Sequence, residues 1–291
     1  MTYQHLSLLI GPLAAMWTLL GTTAASGDFQ ISDSDHKVVV TEDGRPVLTY
    51  NYGRMDPPEG LDAEKYWRSS YIYPVYDLAG ENISEDFPSD HYHHRGIFWS
   101  WPECRVGDRK MDTWTLGGVR QVFEKWLYQE ADADAAKLVV QNVWQFDDDP
   151  EPKVREIVSI TVHKSGEGSR VIDFALRFET VTKETVTFKG AVGKGYGGFK
   201  FRLNAENKPF DFFTDDGLHE NDTFVTTTPW VDAVWTSEES GNRQGVAIFQ
   251  HSSNPGYPHD GWMLRHYGIV GPAWPLEEDY TLVSGDSFGL E

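Results

Sequence analysis

The sequence predicts an all-β protein, a large antiparallel β-sandwich. Three observations predict it. Apolar and polar residues alternate with period two along most of the chain, the pattern of a strand with one buried face. Gly, Pro and Asp interrupt these runs at short intervals, as turns require. Hardly any segment sustains the 3.6-residue period of an amphipathic helix. Aromatic residues make up 14% of the chain, with 11 Trp, enough for a large core.

The clearest strand is 171–179, where Ile172, Phe174, Leu176 and Phe178 share one face and Asp173, Arg177 and Glu179 the other. Segment 154–162 alternates in the same way, and Ser165-Gly166-Glu167-Gly168 between them is a turn signal, so the pair reads as a β-hairpin. Alternation or β-branched and aromatic enrichment gives further strands at 37–41, 47–52, 70–75, 97–101, 119–128 and 137–146. The later ones fall at 185–188, 199–203, 224–228, 233–236, 245–250, 263–269 and 280–284. Residues 61–66 are the one place for a turn of helix, and 131–136 reads as a polar connector. Composition does not break along these strands, and no repeat is visible. Residues 26–291 are therefore expected to form one β-sandwich domain.

Residues 6–20 are apolar apart from Ser7, Gly11, Pro12 and Thr18, and Gly21-Thr22-Thr23-Ala24-Ala25-Ser26 supplies small residues for cleavage. Residues 1–25 thus read as a signal peptide, although Lys and Arg are missing from its first five positions. About 15 apolar residues is short for a membrane span. The expected location is secreted or periplasmic, with no membrane contact after cleavage. Net charge is −20, which repels nucleic acid and anionic lipid and sets both aside as partners. Cys104 is the single cysteine. It cannot form an internal disulfide, and no Cys-His signature surrounds it, so it reads as a core residue.

The densest chemistry is Asp90-His91-Tyr92-His93-His94-Arg95-Gly96. Three imidazoles so close must share a proton, a charge or a metal, because neighbouring cations repel. Drawn as a strand, the segment puts His91, His93 and Arg95 on the face of Ile97 and Trp99, with Tyr92 and His94 opposite. A second cluster, His251 with Asn254, sits at a strand end before the turn residues Pro255 and Gly256. A third is Arg265-His266-Tyr267 after Trp262. Gly193-Lys194-Gly195-Tyr196-Gly197-Gly198 matches a dinucleotide-binding string, but strand-like residues follow it where a helix is required. It reads instead as a loop presenting Lys194 and Tyr196. The acids Asp211, Asp215, Asp216, Glu220 and Asp222 read as a solvated loop.

The segment 90–96 resembles the PmoA-like family of bacterial proteins, which carries the label methane oxygenase. Tyr71-Ile72-Tyr73-Pro74, Asp86-Phe87-Pro88, the 194–199 glycine loop, His251 with Asn254-Pro255, and Trp262 through Arg265 to Tyr267-Gly268 follow in the same order. Tyr92 and Ser252 stand where the family would have Pro. The resemblance runs from about Tyr71 to the end and implies one further strand beyond Glu291. It also implies an exported protein similar to the galactose-mutarotase supersandwich, a fold that hosts sugar epimerases, lyases and glycosidase domains.

The expected function is therefore a carbohydrate-active enzyme acting on a sugar or glycan fragment by histidine-centred acid–base chemistry: glycoside cleavage, elimination or epimerisation. His93, His94 and His251 are the expected acid and base, Asp90 orients a histidine, and Arg95 holds the substrate. Arg265, Asn254, Lys194, Tyr267, Trp99 and Trp262 are the expected binding residues, and the first two clusters are expected to meet in one pocket. No cofactor is required for this chemistry. The alternative is a non-catalytic sugar-binding module, or an oxidase-like protein with a divalent transition metal on His91, His93 and His251.

Overall fold

The computed structural model describes residues 28–238 and 240–291; the expected signal peptide lies outside them. The chain opens with a meander of β1 (Phe29–Ser34), β2 (Lys37–Glu42) and β3 (Arg45–Asn51). A single turn of helix, α1 (Ala63–Tyr66), follows and is capped by Asp62, whose carboxylate accepts the Lys65 N–H. Next come β4 (Tyr71–Val75), β5 (Ile97–Ser100), and the short β6 (Arg105–Val106) and β7 (Arg109–Lys110). Four long strands follow: β8 (Val119–Ala131), β9 (Ala135–Phe146), β10 (Asp149–His163) and β11 (Ile172–Thr180). The remainder is β12 (Val186–Phe188), β13 (Gly198–Arg202), β14 (Asp211–Thr214), β15 (Gly217–His219), β16 (Trp230–Thr236) and β17 (Arg243–Phe249). The last four are β18 (Trp262–Arg265), β19 (Ile269–Pro272), β20 (Tyr280–Leu282) and β21 (Ser287–Leu290).

The all-β expectation holds: strands make up 51% of the described residues and helices 3%. All the strand pairs are antiparallel. They form an eight-stranded sheet of order β1-β2-β3-β4-β5-β13-β19-β18 and a five-stranded sheet of order β21-β11-β10-β9-β8. Two four-stranded sheets, β20-β12-β6-β7 and β15-β14-β16-β17, complete the fold. The predicted hairpin is β10 and β11, paired from Val154 with Thr180 to Val162 with Ile172.

The core joins the two large sheets. Glu156 of β10 is fully buried and accepts hydrogen bonds from Trp99 (2.8 Å), Gln121 (3.0 Å), Asn142 (2.8 Å) and Trp144 (2.6 Å). Burial pushes this carboxyl above its ordinary range while the four donors oppose the shift.

Strand parity gives the eight-stranded sheet two distinct faces. Ile72, Ile97, Phe201, Val270 and Leu264 lie opposite one another across neighbouring strands and face the core. One residue along, Tyr71, Phe98, Ile269 and Met263 point the other way. These four build a second buried cluster with Trp114. Lys200 pairs with Phe98, and Arg202 and Arg265 each pair with Ile269. All three therefore share this outer face.

Several sequence expectations need correction. Residues 224–228 are not a strand: Thr223 Oγ1 accepts the Val225 N–H at 3.2 Å and donates to Val225 O at 3.0 Å, a local turn that competes with pairing. Residues 263–269 are not one strand: β18 ends at Arg265, residues 266–268 turn with Gly268 at φ +105°, and Ile269 opens β19. The connector at 131–136 is only the tip of the β8–β9 hairpin, closed by Asp132 accepting from Asp134 N (2.8 Å) and Ala135 N (2.9 Å). Strand β1, absent from the sequence reading, pairs along its whole length with β2.

Candidate functional site

The loop of residues 86–95 crosses the outer face of the eight-stranded sheet. It is not extended as the alternation expected. His91 N–H donates to Pro88 O and His94 N–H to His91 O, both at 2.9 Å, so the segment makes two successive turns. The turns gather all three imidazoles on one side instead of alternating them. The loop rejoins the sheet at Gly96, where a Cβ would lie 2.2 Å from Ile72 O. Only glycine lets the chain run this close to β4.

Two buried arginines hold the loop's carbonyls. Arg95 is fully buried and donates to His94 O (2.8 Å), Tyr66 O (2.7 Å) and Tyr92 O. Its guanidinium lies 3.2 Å from the Phe87 ring centroid, with Nε 3.4 Å from Asp86 Oδ1. Arg68 reaches His93 O and Thr113 O at 3.4 Å and Gln121 Oε1 at 3.2 Å. Arg95, expected to hold substrate, instead fixes the loop's shape. Burial pushes Asp86 up to about 6, against the opposing pull of Arg95 and the Tyr71 hydroxyl.

The rings form a closed circuit. His94 stacks on His91 (4.6 Å between centroids, 2° between planes), and His91 stacks on Tyr267 (5.0 Å, 9°). Arg265 lies 5.6 Å from the Tyr267 ring and 4.9 Å from Phe224. Phe224 meets Tyr196 at 5.9 Å, Tyr196 meets Trp114 at 4.7 Å, and Trp114 returns to His94 at 5.6 Å. His93 sits against this ring, 4.5 Å from His94 and 6.2 Å from Trp114. Such contacts combine aromatic packing with cation–π attraction.

Acids fix the polar members. Asp90 Oδ2 lies 3.1 Å from His91 Nδ1, and Asp90 Oδ1 accepts from Arg202 at 3.1 Å. Arg202 also donates to Glu85 at 3.0 Å and lies 5.0 Å from the Tyr267 ring. Asp222 takes Arg265 at 3.2 Å and both the N–H and Nδ1 of His266 at 2.8 Å. Burial works against both carboxylates, yet Arg202 holds Asp90, and His266 with Arg265 holds Asp222, below the ordinary range. Burial, reinforced by neighbouring imidazoles, drives His93 down to about 3 and His94 well below its ordinary value. Both are neutral at pH 7, so each has one N–H donor and one acceptor nitrogen. His94 Nδ1 is buried with no hydrogen bond among the described residues.

The structure thus joins the first and third sequence clusters: Asp90, His91, His93 and His94 meet Arg265 and Tyr267. It does not bring in the second. His251 Nδ1 lies 2.8 Å from Ser253 Oγ and 3.3 Å from Glu291 Oε2, and Asn254 exchanges hydrogen bonds with the Glu291 backbone at 2.7 Å. Both line a different cleft of about 1230 Å³, walled by Ile97, Phe199 and Phe201 from the sheet's core-facing side. His91, His93 and His251 are therefore not a ligand set. Among the described residues no group of three or more His, Cys, Asp or Glu is arranged to hold a metal ion. Trp99 and Trp262 are fully buried on the core side, donating to Glu156 and Thr228 O, so neither offers a stacking surface. Lys194 is exposed in the 191–195 turn, while its neighbour Tyr196 enters the circuit.

Sequence reasoning missed Arg202, Asp222 and Phe224. Alternation in Phe199-Lys200-Phe201-Arg202 signals two cations opposite two phenylalanines. Lys200 is fully buried, donating to Gly197 O (2.8 Å), Phe199 O (3.1 Å) and Pro272 O (2.5 Å), and burial pushes its ammonium well below the usual range. Asp222 belonged to an acidic run read as solvated, and nothing local marks it as the partner of Arg265.

A family model described as a family of unknown function, DUF6807, matches residues 37–291. The chain belongs to that family. No curated protein and no solved structure matches it.

Proposed function

We propose that this DUF6807 protein binds a carbohydrate on the outer face of its eight-stranded sheet and acts on it by histidine-centred proton transfer. The observation that carries this reading is the closed circuit of His91, His94, Trp114, Tyr196, Phe224, Arg265 and Tyr267. Of these, Tyr196, Phe224 and Tyr267 are half-buried and can turn ring surface to the C–H side of a sugar, His91, Arg265 and Tyr267 offer N–H and O–H groups to its hydroxyls, and the buried His94 and Trp114 back them. The PmoA-like resemblance and the mutarotase-type sandwich it implies support the same ligand class by analogy. Export to the periplasm or medium would place the protein where glycan fragments occur.

His91 is the best-placed base. Its ring is held between two parallel rings, so only its edge can meet a ligand. Asp90 Oδ2 lies 3.1 Å from Nδ1 and is itself held by Arg202, so a small rotation of the ring lets Nδ1 donate to it and leaves Nε2 as the nitrogen that meets a ligand. The neutral, half-buried His93 serves as a hydrogen-bond partner for hydroxyls, with the buried His94 packed behind it. Arg265, steadied by Asp222, holds a hydroxyl or carboxylate of the sugar. Epimerisation, elimination and glycosidic cleavage all begin with a transfer of this kind.

The test is product analysis of the purified protein and of His91→Ala on plant and algal glycans, with and without chelator. A product formed by the wild type, insensitive to chelator and lost in the variant, is the expected result. Binding without turnover would reduce the protein to a sugar-binding module. No binding to any glycan would overturn the reading.

A further inference from the structure

A second cleft of about 600 Å³ opens on the same outer face, over β3 and β4. Its walls include Asn51, Arg54, Asp56, Tyr73, Asp86 and Phe87. The chemistry is polar with aromatic sides. Arg54 is fixed by Asp56 at 2.6 Å and Glu64 at 2.9 Å, and Asn51 donates to Tyr73 O at 2.8 Å. Asp86 accepts the Tyr71 hydroxyl at 3.1 Å and keeps its other oxygen near Arg95. None of these groups belongs to the histidine circuit.

Sheet order sets how far apart the two places lie. The circuit stands over β13, β19 and β18 through Arg202, Ile269 and Arg265, and the second cleft over β3 and β4. From β3 to β19 is four strand spacings, about 19 Å at ~4.8 Å each, and from β4 to β13 two, about 10 Å. That is farther than one monosaccharide reaches and within reach of a short chain of linked sugars. One loop serves both places: Asp86 and Phe87 wall the second cleft, and His91 and His94 belong to the circuit. One buried guanidinium, Arg95, touches the Phe87 ring and Asp86 at one end and the Tyr92 and His94 carbonyls at the other.

We propose that the cleft over β3 and β4 is a second sugar subsite, so that the ligand is an oligosaccharide laid across the strands with one end at the histidines. This rests on the carbohydrate reading above and adds the size class of the ligand. Linking the two contacts through one ligand makes the second an intramolecular event, so affinity climbs with chain length until both subsites are filled.

The experiment is titration calorimetry of the purified protein with cello-, xylo-, manno- and galacturono-oligosaccharides of one to six units. In the series that binds, affinity should rise about tenfold or more between one unit and four. Tyr73→Ala and Arg54→Ala should each erase that gain, with thermal midpoints recorded to exclude misfolding. Arg54 is substantially exposed, so its variant remains informative if Tyr73→Ala does not fold. Equal affinity for one unit and four, or a gain that survives both variants, overturns the second subsite and leaves the histidine site standing. Failure of every series to bind the wild type overturns both.

Discussion

Two regions of this molecule gather histidines, one packed on the outer face of a sheet and one at the rim of a large cleft, and they differ in burial and in the partners of their rings. On the outer face of the eight-stranded sheet, His91, His93 and His94 stack against Tyr267 and Trp114, and acids fix the surrounding cations. On the core-facing side, His251 stands 58% exposed beside the larger cleft, among Phe174, Phe199, Ile248 and Phe249. That cleft has the greater volume, yet its lining is dominated by apolar side chains. Proton transfer needs groups whose orientation and protonation are imposed by neighbours. Burial and packing impose both on the outer face. His251 is held only by its near neighbour Ser253 and by Glu291, so the larger cleft is not where the aromatic and charged groups pack most densely.

The widest separation between the regions should come from alanine substitution. His91→Ala should cut turnover of a glycan substrate by about 10²–10⁴-fold, the usual worth of a positioned proton-transfer group, and His93→Ala, which removes a hydrogen-bond partner, by about tenfold. His251→Ala should leave turnover unchanged. Steady-state kinetics with thermal midpoints checks this, and an inactive His251→Ala with wild-type stability would reverse the assignment of the two regions.

Next in size is a stability effect. Arg95→Met leaves Asp86 buried without its nearest cation and frees two loop carbonyls and that of Tyr66 in α1, which should cost about 3 kcal/mol or more in urea unfolding. A loss under about 1 kcal/mol would show that the loop does not depend on this guanidinium.

A smaller effect appears with pH. An unfolded histidine titrates near its ordinary value of about 6.5, whereas folded His93 takes up its proton only at about 3. Between those values the unfolded chain binds a proton that the native chain refuses. The stability due to His93 is complete above the unfolded value and is lost as pH falls towards the folded one. The slope is at most about 1.4 kcal/mol per pH unit for one such group. Unfolding of His93→Gln between pH 7 and pH 4 should show a shallower acid loss than the wild type, and parallel curves would contradict the buried neutral state.

The smallest effect belongs to the other cleft. Phe249 is 68% exposed, so Phe249→Thr should change stability by no more than about 0.5 kcal/mol and leave activity untouched. A drop in activity would mean that the apolar cleft takes part after all.

Much of the fold was legible locally. The 171–179 alternation fixed a strand and its buried face, and the glycine turn before it fixed a hairpin. The dense histidine segment and the order Arg265, His266, Tyr267 marked a loop and a hairpin that the structure brings together. Other readings failed for physical reasons. Parity was applied to residues 90–95 as if they were a strand, but turns anchored at Pro88 and His91 carry no such parity. Trp99 and Trp262 have the composition of sugar platforms, and only the register of β5 and β18 shows that both face the core, Trp99 at Glu156 and Trp262 at Thr228 O. Phe224 and Asp222 lay in segments assigned to a strand and to solvent, although both reach Arg265.

By itself, the sequence determined the all-β class, most strand positions, and the segments in which reactive side chains concentrate. Those properties follow from period and composition, which depend on neighbours along the chain. The tertiary structure alone decided which segments meet: that the 86–95 loop joins Tyr267 rather than His251, and that Arg202 answers Asp90. Sheet order and register place residues more than a hundred positions apart onto one face, and a shift of a single residue in register would move each to the other. A local pattern does not encode that choice, because it is made by the pairing of whole strands.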